Sequence, residues 1–244
     1  MNDSGKWESV ARFSQIAHDI RDAPAFSGAR AKINRAKHHW PEIEKIITDH
    51  LNSDWYTIET FKEDGIPTVK VVVFSPGFDL SVAIGDFVHN LRSALDHMAV
   101  SCVELNSQSP KDVYFPFAPE VSKLEGFIRK AKFHRAPADA IDLLRSYKPY
   151  RGGNAALRAI HDLDVADKHR ALVPAVATTR MTGNVDPRKP FELQDFHVAP
   201  PKLVFHPQGP LGDKEILPTL KSLLELTAGI VDAFEMRLIS GGPR

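Results

Sequence analysis

Residues 85–98, GDFVHNLRSALDHM, contain the pattern that decides the fold. At about 100° per residue of an α-helix, the apolar side chains fall on one side and the polar side chains on the other. The apolar stripe consists of Ile84, Phe87, Val88, Leu91, Leu95 and Met98. Such a stripe is typical of a helix that packs into a hydrophobic core. The polar side consists of Asp86, His89, Asn90, Arg92, Ser93, Asp96 and His97. We expect this polar side to face solvent or a partner surface.

The composition is that of an ordinary globular protein. Of the 244 residues, 43% are hydrophobic, and the formal net charge is +0. No apolar run approaches the roughly 18 residues that cross a bilayer, and the N-terminal residues have no apolar signal core. We therefore expect a cytoplasmic protein with no membrane partner. The single cysteine, Cys102, excludes an intramolecular disulfide and a cysteine-rich zinc site, and its position predicts a buried, inert thiol.

Hydrophobic periodicity predicts the helices and one hairpin. Helices are predicted at about 28–51, 79–105, 121–133, 137–146, 154–168 and 216–239. Pro41 predicts a kink or a break in the first helix. Asp79 or Ser81 is the candidate N-cap of the second helix, and Asn154 that of the fifth. An Asp-Gly turn within 62–65 joins the two predicted strands of a β-hairpin at about 55–74.

Two segments depart from this helical pattern. Residues 1–27 have few apolar positions in phase, and we expect a weakly structured N-terminal segment. Residues 171–206 carry Val, Thr, Phe and many prolines and predict an irregular β-rich segment. The sequence thus predicts a mainly α (α+β) fold, with one helical-bundle domain over 28–244 that contains the hairpin and the β-rich segment.

The polar side of the longest helix contains Arg92 and His97 in an R-x4-H arrangement. This stretch resembles the signature of the HEPN superfamily, helical-bundle proteins whose members include many prokaryotic ribonucleases. The resemblance implies a homodimer that brings two motifs together over an RNA backbone. It implies cleavage through the 2′-hydroxyl without a metal or cofactor. Since many members are toxins or defence components, it also implies a cognate antitoxin or another partner protein.

The chemistry of the two residues suits that function. Histidine titrates near neutral pH, so His97 would move a proton to or from an RNA oxygen. The guanidinium of Arg92 stays charged and would stabilise the phosphate in the transition state. The residues that would orient this pair are His89, Asn90, Ser93 and Asp96. A second R-x4-H match, Arg129 to His134, lies at the end of a short basic helix, and we do not favour it.

A second polar cluster lies at the end of the helix predicted at 154–168. Its members are His161, Asp164, Asp167, Lys168, His169 and Arg170. Cations are favoured at a helix C-terminus, and Asp164 and Lys168 form a favourable i,i+4 pair, so the cluster has a structural interpretation. In the functional interpretation it approaches the polar side of the longest helix. The combination of HNLRSALDH with DKHR also resembles a pattern that recurs in bacterial proteins and that names no activity.

Two other functions fit the same residues. In a non-catalytic interaction or nucleotide-binding module, the polar side would form a homodimer or partner interface, with Arg92 and Asp96 as an ordinary i,i+4 ion pair. In a metal-dependent phosphohydrolase, histidines of the two clusters would bind the ion, as His161 and Asp162 suggest. The chain has no H-E-x-x-H motif, and we assign no metal ligands. It also has no G-x-S-x-G elbow, which disfavours a Ser-His-Asp hydrolase.

Overall fold

The computed structural model describes residues 24–63, 66–74, 76–169, 175–178, 181–183, 196–198 and 202–240. Over these residues, six α-helices form a bundle to which short β-strands are added. The helices are α1 Ser27–Leu51, α2 Phe78–Leu105, α3 Leu124–Lys130, α4 Ala138–Ser146, α5 Ala155–His169 and α6 Ile216–Glu235. The strands are β1 Tyr56–Glu63, β2 Ile66–Val73, β3 Ala175–Thr178, β4 Met181–Gly183, β5 Phe196–Val198 and β6 Lys202–Phe205. The predicted mainly α fold is confirmed, while most of the predicted N-terminal segment lies outside the described residues.

Helix α2 is the centre of the bundle. Its predicted apolar stripe is fully buried, with every member at most 1% exposed. Helix α2 packs against α1, α5 and α6. Burying each large aliphatic or aromatic side chain contributes about 1.5–3 kcal/mol, so this stripe contributes substantially to the stability of the bundle. Cys102 is buried on the same helix, and desolvation raises the pKa of its thiol, as expected of an inert cysteine.

The N-termini of α2 and α5 are capped differently. Helix α2 begins at Phe78 after Gly77, which has a φ of 86°. Asp79 therefore lies in the first turn, and the prediction of Asp79 or Ser81 as N-cap is wrong, because a backbone with positive φ favours glycine at that place. Helix α5 follows the prediction, since the side-chain oxygen of Asn154 accepts a hydrogen bond from the Leu157 N–H at 3.0 Å.

Two further predicted helices have different bounds. Helix α1 is one continuous helix with Pro41 inside it, so the predicted break is not found. Its buried residues on both sides of the proline pack on α2, and this packing offsets the roughly 3 kcal/mol that an internal proline costs. The helix predicted at 121–133 is instead a 3-10 turn, Val121–Lys123, followed by the short α3 and a second 3-10 turn, Phe133–Arg135. Lys132, with a φ of 58°, interrupts the helical backbone there.

The β-strands form three antiparallel pairs. The predicted hairpin is confirmed, with β1 and β2 in register from Tyr56 opposite Val73 to Glu63 opposite Ile66. In the predicted β-rich segment, β3 pairs with β6 and β4 pairs with β5. A search of the described helices finds none with the length and apolar character needed to cross a membrane.

Helices α2 and α5 run antiparallel and approach closely at a glycine. A methyl group added at Gly85 would lie 2.5 Å from Oδ1 of Asp167. One turn further along α2, His89 meets Asp164, which lies one turn earlier on α5. The absence of a side chain at Gly85 therefore lets α5 place its carboxylates directly on the polar side of α2.

We predict opposite effects for two glycine substitutions within helices. Gly85→Ala should lower the free energy of unfolding by about 1–3 kcal/mol, because the new methyl must displace a carboxylate that is packed against the helix. Gly229→Ala is the matched control, since a methyl added there has no heavy-atom neighbour within 4 Å. It should raise the free energy of unfolding by about 0.5–1 kcal/mol through helix propensity. Urea unfolding of both variants measures this difference, and equal stabilisation would contradict the close approach.

Candidate functional site

The candidate site is centred on a histidine–carboxylate pair between α2 and α5. Nδ1 of His89 lies 2.9 Å from Oδ1 of Asp164. Asp164 is buried, at 5% exposure, whereas the His89 side chain is 44% exposed. Because an ionised carboxylate only accepts hydrogen bonds, Nδ1 donates in this contact, and in a neutral imidazole the other nitrogen, Nε2, is then an acceptor. The buried carboxylate thus fixes the tautomer of an imidazole that solvent reaches.

The second nitrogen of this imidazole faces a hydroxyl group. Ser93 lies one turn after His89 on α2, and its Oγ is 3.4 Å from Nε2. The i,i+4 spacing places the two side chains on the same side of the helix. The imidazole of His89 therefore contacts a hydroxyl through Nε2 and a carboxylate through Nδ1.

Arg92 has different neighbours from the exposed histidine. Its side chain is 10% exposed. The guanidinium forms an ion pair with Asp96 through Nη1, and Nη2 donates to the carbonyl oxygen of Phe115 at 3.3 Å. The same carboxylate of Asp96 accepts the Phe115 N–H at 2.8 Å. The prediction that this polar side faces solvent or a partner is therefore wrong for Arg92, because the loop after α2 folds back and covers this residue.

Residues 115–118, which we call the strap, are fixed by side chains from both helices. The guanidinium of Arg92 lies 4.9 Å from the ring centroid of Phe117. From α5, Nη1 of Arg158 donates to the carbonyl oxygen of Ala118 at 3.1 Å. The N–H of Ala118 donates to the carbonyl oxygen of Pro149 at 2.9 Å. Arginines of α2 and α5 thus satisfy the backbone carbonyls at the two ends of the strap.

His161 lies on the α5 side of the strap and is held neutral. Its ring stacks on Phe117 with centroids 4.7 Å apart and planes at 16°. Desolvation, with the positive charges of Arg92 and Arg158 as further causes, lowers the pKa of His161 to about 4. The ring therefore acts as a neutral aromatic partner of the strap at physiological pH.

The two residues of the R-x4-H arrangement contact different parts of the protein. An i,i+5 spacing separates side chains by about 140° around a helix. Arg92 is directed at the strap, whereas His97 is exposed and lies against Gly28 of α1, where an added methyl would be 2.8 Å from its Nδ1. Within one chain, the structure does not bring Arg92 and His97 to a common point.

The remaining predicted site residues include Asn90 and Asp167, which the structure describes, and residues near 168–170 whose side chains it does not. Asn90 is buried, at 7% exposure, and its side-chain N–H group donates to the carbonyl oxygen of Asp86 at 2.8 Å. Asp167 packs against Gly85, so the acidic members of the second cluster do approach the polar side of α2. Arg170 lies outside the described residues, and so do the side chains of Lys168 and His169.

The part of the chain that the structure describes contains no group of three or more His, Cys, Asp or Glu side chains arranged to hold a metal ion. The phosphohydrolase alternative gains no support from these residues. A small surface cavity of about 200 Å³ lies elsewhere, between the start of α5 and α6, and its lining includes Lys214 and Ser222. It is separate from the histidine–carboxylate pair.

Comparisons with protein-family models, with curated proteins and with solved structures found no match.

Sequence reasoning assigned the leading role to His97 and only a supporting role to His89. The signal that distinguishes them is the carboxylate 75 positions away on α5. The face of α5 that carries Asp164 follows from helical periodicity, but the register of α5 against α2 depends on the glycine contact and the strap.

We predict that His161 makes folding stability depend on pH. In the unfolded chain His161 takes up a proton near its ordinary pKa of about 6.5, and in the folded protein only near 4. Between these values the unfolded state binds more protons, so the free energy of unfolding falls as the pH decreases from about 6.5 to about 4. His161→Phe keeps a ring on Phe117 and should reduce this slope in urea unfolding measured from pH 7 to pH 4.5.

The matched control is His134→Phe, at an exposed histidine outside the bundle core. This variant should keep the pH dependence of the unmodified protein. An unchanged slope in His161→Phe would contradict a neutral, half-buried His161.

Proposed function

We propose that this protein is a metal-independent RNA-cleaving protein in which His89, oriented by Asp164, is the acid–base residue. The observation that carries the proposal is the 2.9 Å contact between His89 Nδ1 and the buried Asp164, on a ring that is 44% exposed at the side chain. Such a pair fixes the tautomer of the imidazole and stabilises the imidazolium that forms when Nε2 accepts a proton. The resemblance of the helix to the HEPN superfamily supports RNA as the substrate.

The proposed reaction needs one proton acceptor close to the ribose. Nε2 of His89 would take the proton of the 2′-hydroxyl as its oxygen attacks the neighbouring phosphorus. The bond between phosphorus and the 5′-oxygen then breaks, the leaving oxygen takes up a proton from the His89 imidazolium or from water, and the products are a cyclic phosphate and a 5′-hydroxyl. The hydroxyl of Ser93, 3.4 Å from Nε2, marks the position at which a substrate hydroxyl would meet the base.

The basic end of α5 supplies candidates for the phosphate contact. Lys168, His169 and Arg170 follow Asp164 in the sequence by four to six positions. In this proposal Arg92 has another part, because its guanidinium holds the strap. It stabilises α2, the helix that carries His89, and does not contact the phosphate.

A second candidate is the non-catalytic interaction module, in which the polar side of α2 forms an interface with a partner protein or the homodimer that the HEPN resemblance implies. The observation that favours it is the burial of Arg92, the residue that the resemblance assigns to phosphate, in an ion pair and a carbonyl contact. In that candidate, the exposed His89 and His97 would belong to a surface that contacts a partner protein or a second copy of the chain.

We predict that the purified protein cleaves a mixed RNA substrate in the presence of EDTA and leaves cyclic phosphate ends. His89→Ala should lower the cleavage rate by at least about 100-fold, which is the usual contribution of a general base. Asp164→Asn, which keeps the side-chain size, should also lower it. His134→Ala is the matched control at an exposed histidine and should stay within about twofold of the unmodified protein.

The pattern of losses separates the candidates. Loss of cleavage in His97→Ala with full activity in His89→Ala would contradict our assignment and favour the R-x4-H interpretation. No cleavage by the folded, unmodified protein would contradict the ribonuclease proposal and favour the interaction module. Sensitivity to EDTA, restored by a divalent cation, would favour the metal-dependent phosphohydrolase.

A further inference from the structure

The line of Ser93, His89 and Asp164 has the order of a nucleophile, a base and the group that orients the base. We propose that Ser93 is a nucleophile that forms covalent adducts with activated carboxylic esters and organophosphorus compounds. The inference uses the His89–Asp164 pair of the proposed function and therefore depends on that pair being competent in proton transfer. It does not depend on RNA as a substrate.

Three observations carry the inference. Asp164 lies 2.9 Å from Nδ1 of His89, and Ser93 Oγ lies 3.4 Å from Nε2, so the two nitrogens of one ring face the two partners that a triad requires. Asp164 is buried at 5% exposure, which keeps its carboxylate fixed and partly screened from water. The His89 side chain is 44% exposed, so a small reagent can reach the ring.

Sequence reasoning disfavoured this chemistry because the chain has no G-x-S-x-G elbow. That elbow belongs to one fold, in which the serine follows a strand. A triad is recognised by the geometry and the roles of its members, which recur in different chain orders on unrelated folds. Here the serine and the histidine come from one helix at i,i+4 spacing, and the carboxylate comes from an antiparallel neighbour.

The covalent step needs no reactant besides Ser93, His89 and the ester or organophosphorus compound. As the Ser93 oxygen forms its bond to the acyl carbon, its proton moves to Nε2 of His89. The leaving alcohol or phenol departs with the electron pair of the broken ester bond, and the imidazolium returns a proton where the leaving group needs one. With a fluorophosphonate, the new bond is to phosphorus and the leaving group is fluoride, so the adduct persists and can be located.

The test uses the full chain and a fluorophosphonate probe, with the modified residue identified by peptide mass spectrometry. We expect a phosphonyl adduct on Ser93 in the unmodified protein. Labelling should be lost in Ser93→Ala and slowed at least about tenfold in His89→Gln and Asp164→Asn. Ser93→Cys keeps a nucleophile at this position. Its thiol should react with the probe or with a thiol-reactive reagent.

Ser222→Ala is the matched control, since Ser222 lies on the exposed side of α6 and donates to the Pro218 carbonyl oxygen. It should be labelled at the rate of the unmodified protein. Circular dichroism and thermal unfolding establish that each variant is folded. An adduct at another residue, no adduct, or labelling of Ser93 that is independent of His89 in folded variants would overturn the proposal.

The two proposals fail separately. Cleavage of RNA by a protein whose Ser93 is not labelled would overturn the nucleophile and leave the ribonuclease proposal. Labelling of Ser93 that requires His89, in a protein that does not cleave RNA, would overturn the ribonuclease proposal and leave the nucleophile.

Discussion

The buried guanidinium of Arg92 is the interaction on which the rest of the site depends. An arginine that is 8% exposed loses most of its hydration, and this loss is tolerated only when its N–H groups are satisfied. Asp96 supplies the charge and the Phe115 carbonyl supplies a second acceptor. Because the strap provides that carbonyl, folding of α2 and placement of the strap are coupled, and the Phe117 ring in turn supports His161 on α5.

This coupling divides the polar side of α2 into an inner and an outer part. The inner part, Arg92 with Asp96, faces the strap and is occupied by contacts within the chain. The outer part, His89 with Ser93, faces α5 and solvent. The same helix thus combines a structural ion pair with an accessible acid–base group, one turn apart. Chemistry is therefore expected at the outer part, where the imidazole of His89 is exposed.

Sequence pattern was enough to predict the core and the main elements, because these depend on local periodicity. The buried stripe of α2, the β1–β2 hairpin and the Asn154 cap all follow from neighbouring residues. The site was predicted only as a face of α2. The burial of Arg92 depends on a loop about 20 positions later, and the partner of His89 lies on a helix whose register is fixed at Gly85. Neither long-range contact has a signal in the periodicity of α2, so the roles of His89 and His97 could not be ranked from sequence.

The measurement that tests this account most directly is the free energy of unfolding of Arg92→Met, beside Arg35→Met on the exposed side of α1. Methionine keeps much of the apolar stem of arginine and removes the charge and the donors. If Arg92 connects α2 to the strap, its replacement removes the cation from Asp96 and the N–H donor from the Phe115 carbonyl. The free energy of unfolding should then fall by about 1–3 kcal/mol, because the buried Phe115 carbonyl loses its donor and Asp96 loses its cation. Arg35→Met should change it by less than about 0.5 kcal/mol. Equal, small effects of the two substitutions would contradict the structural role of Arg92. Arg92 would then be available to contact the RNA phosphate.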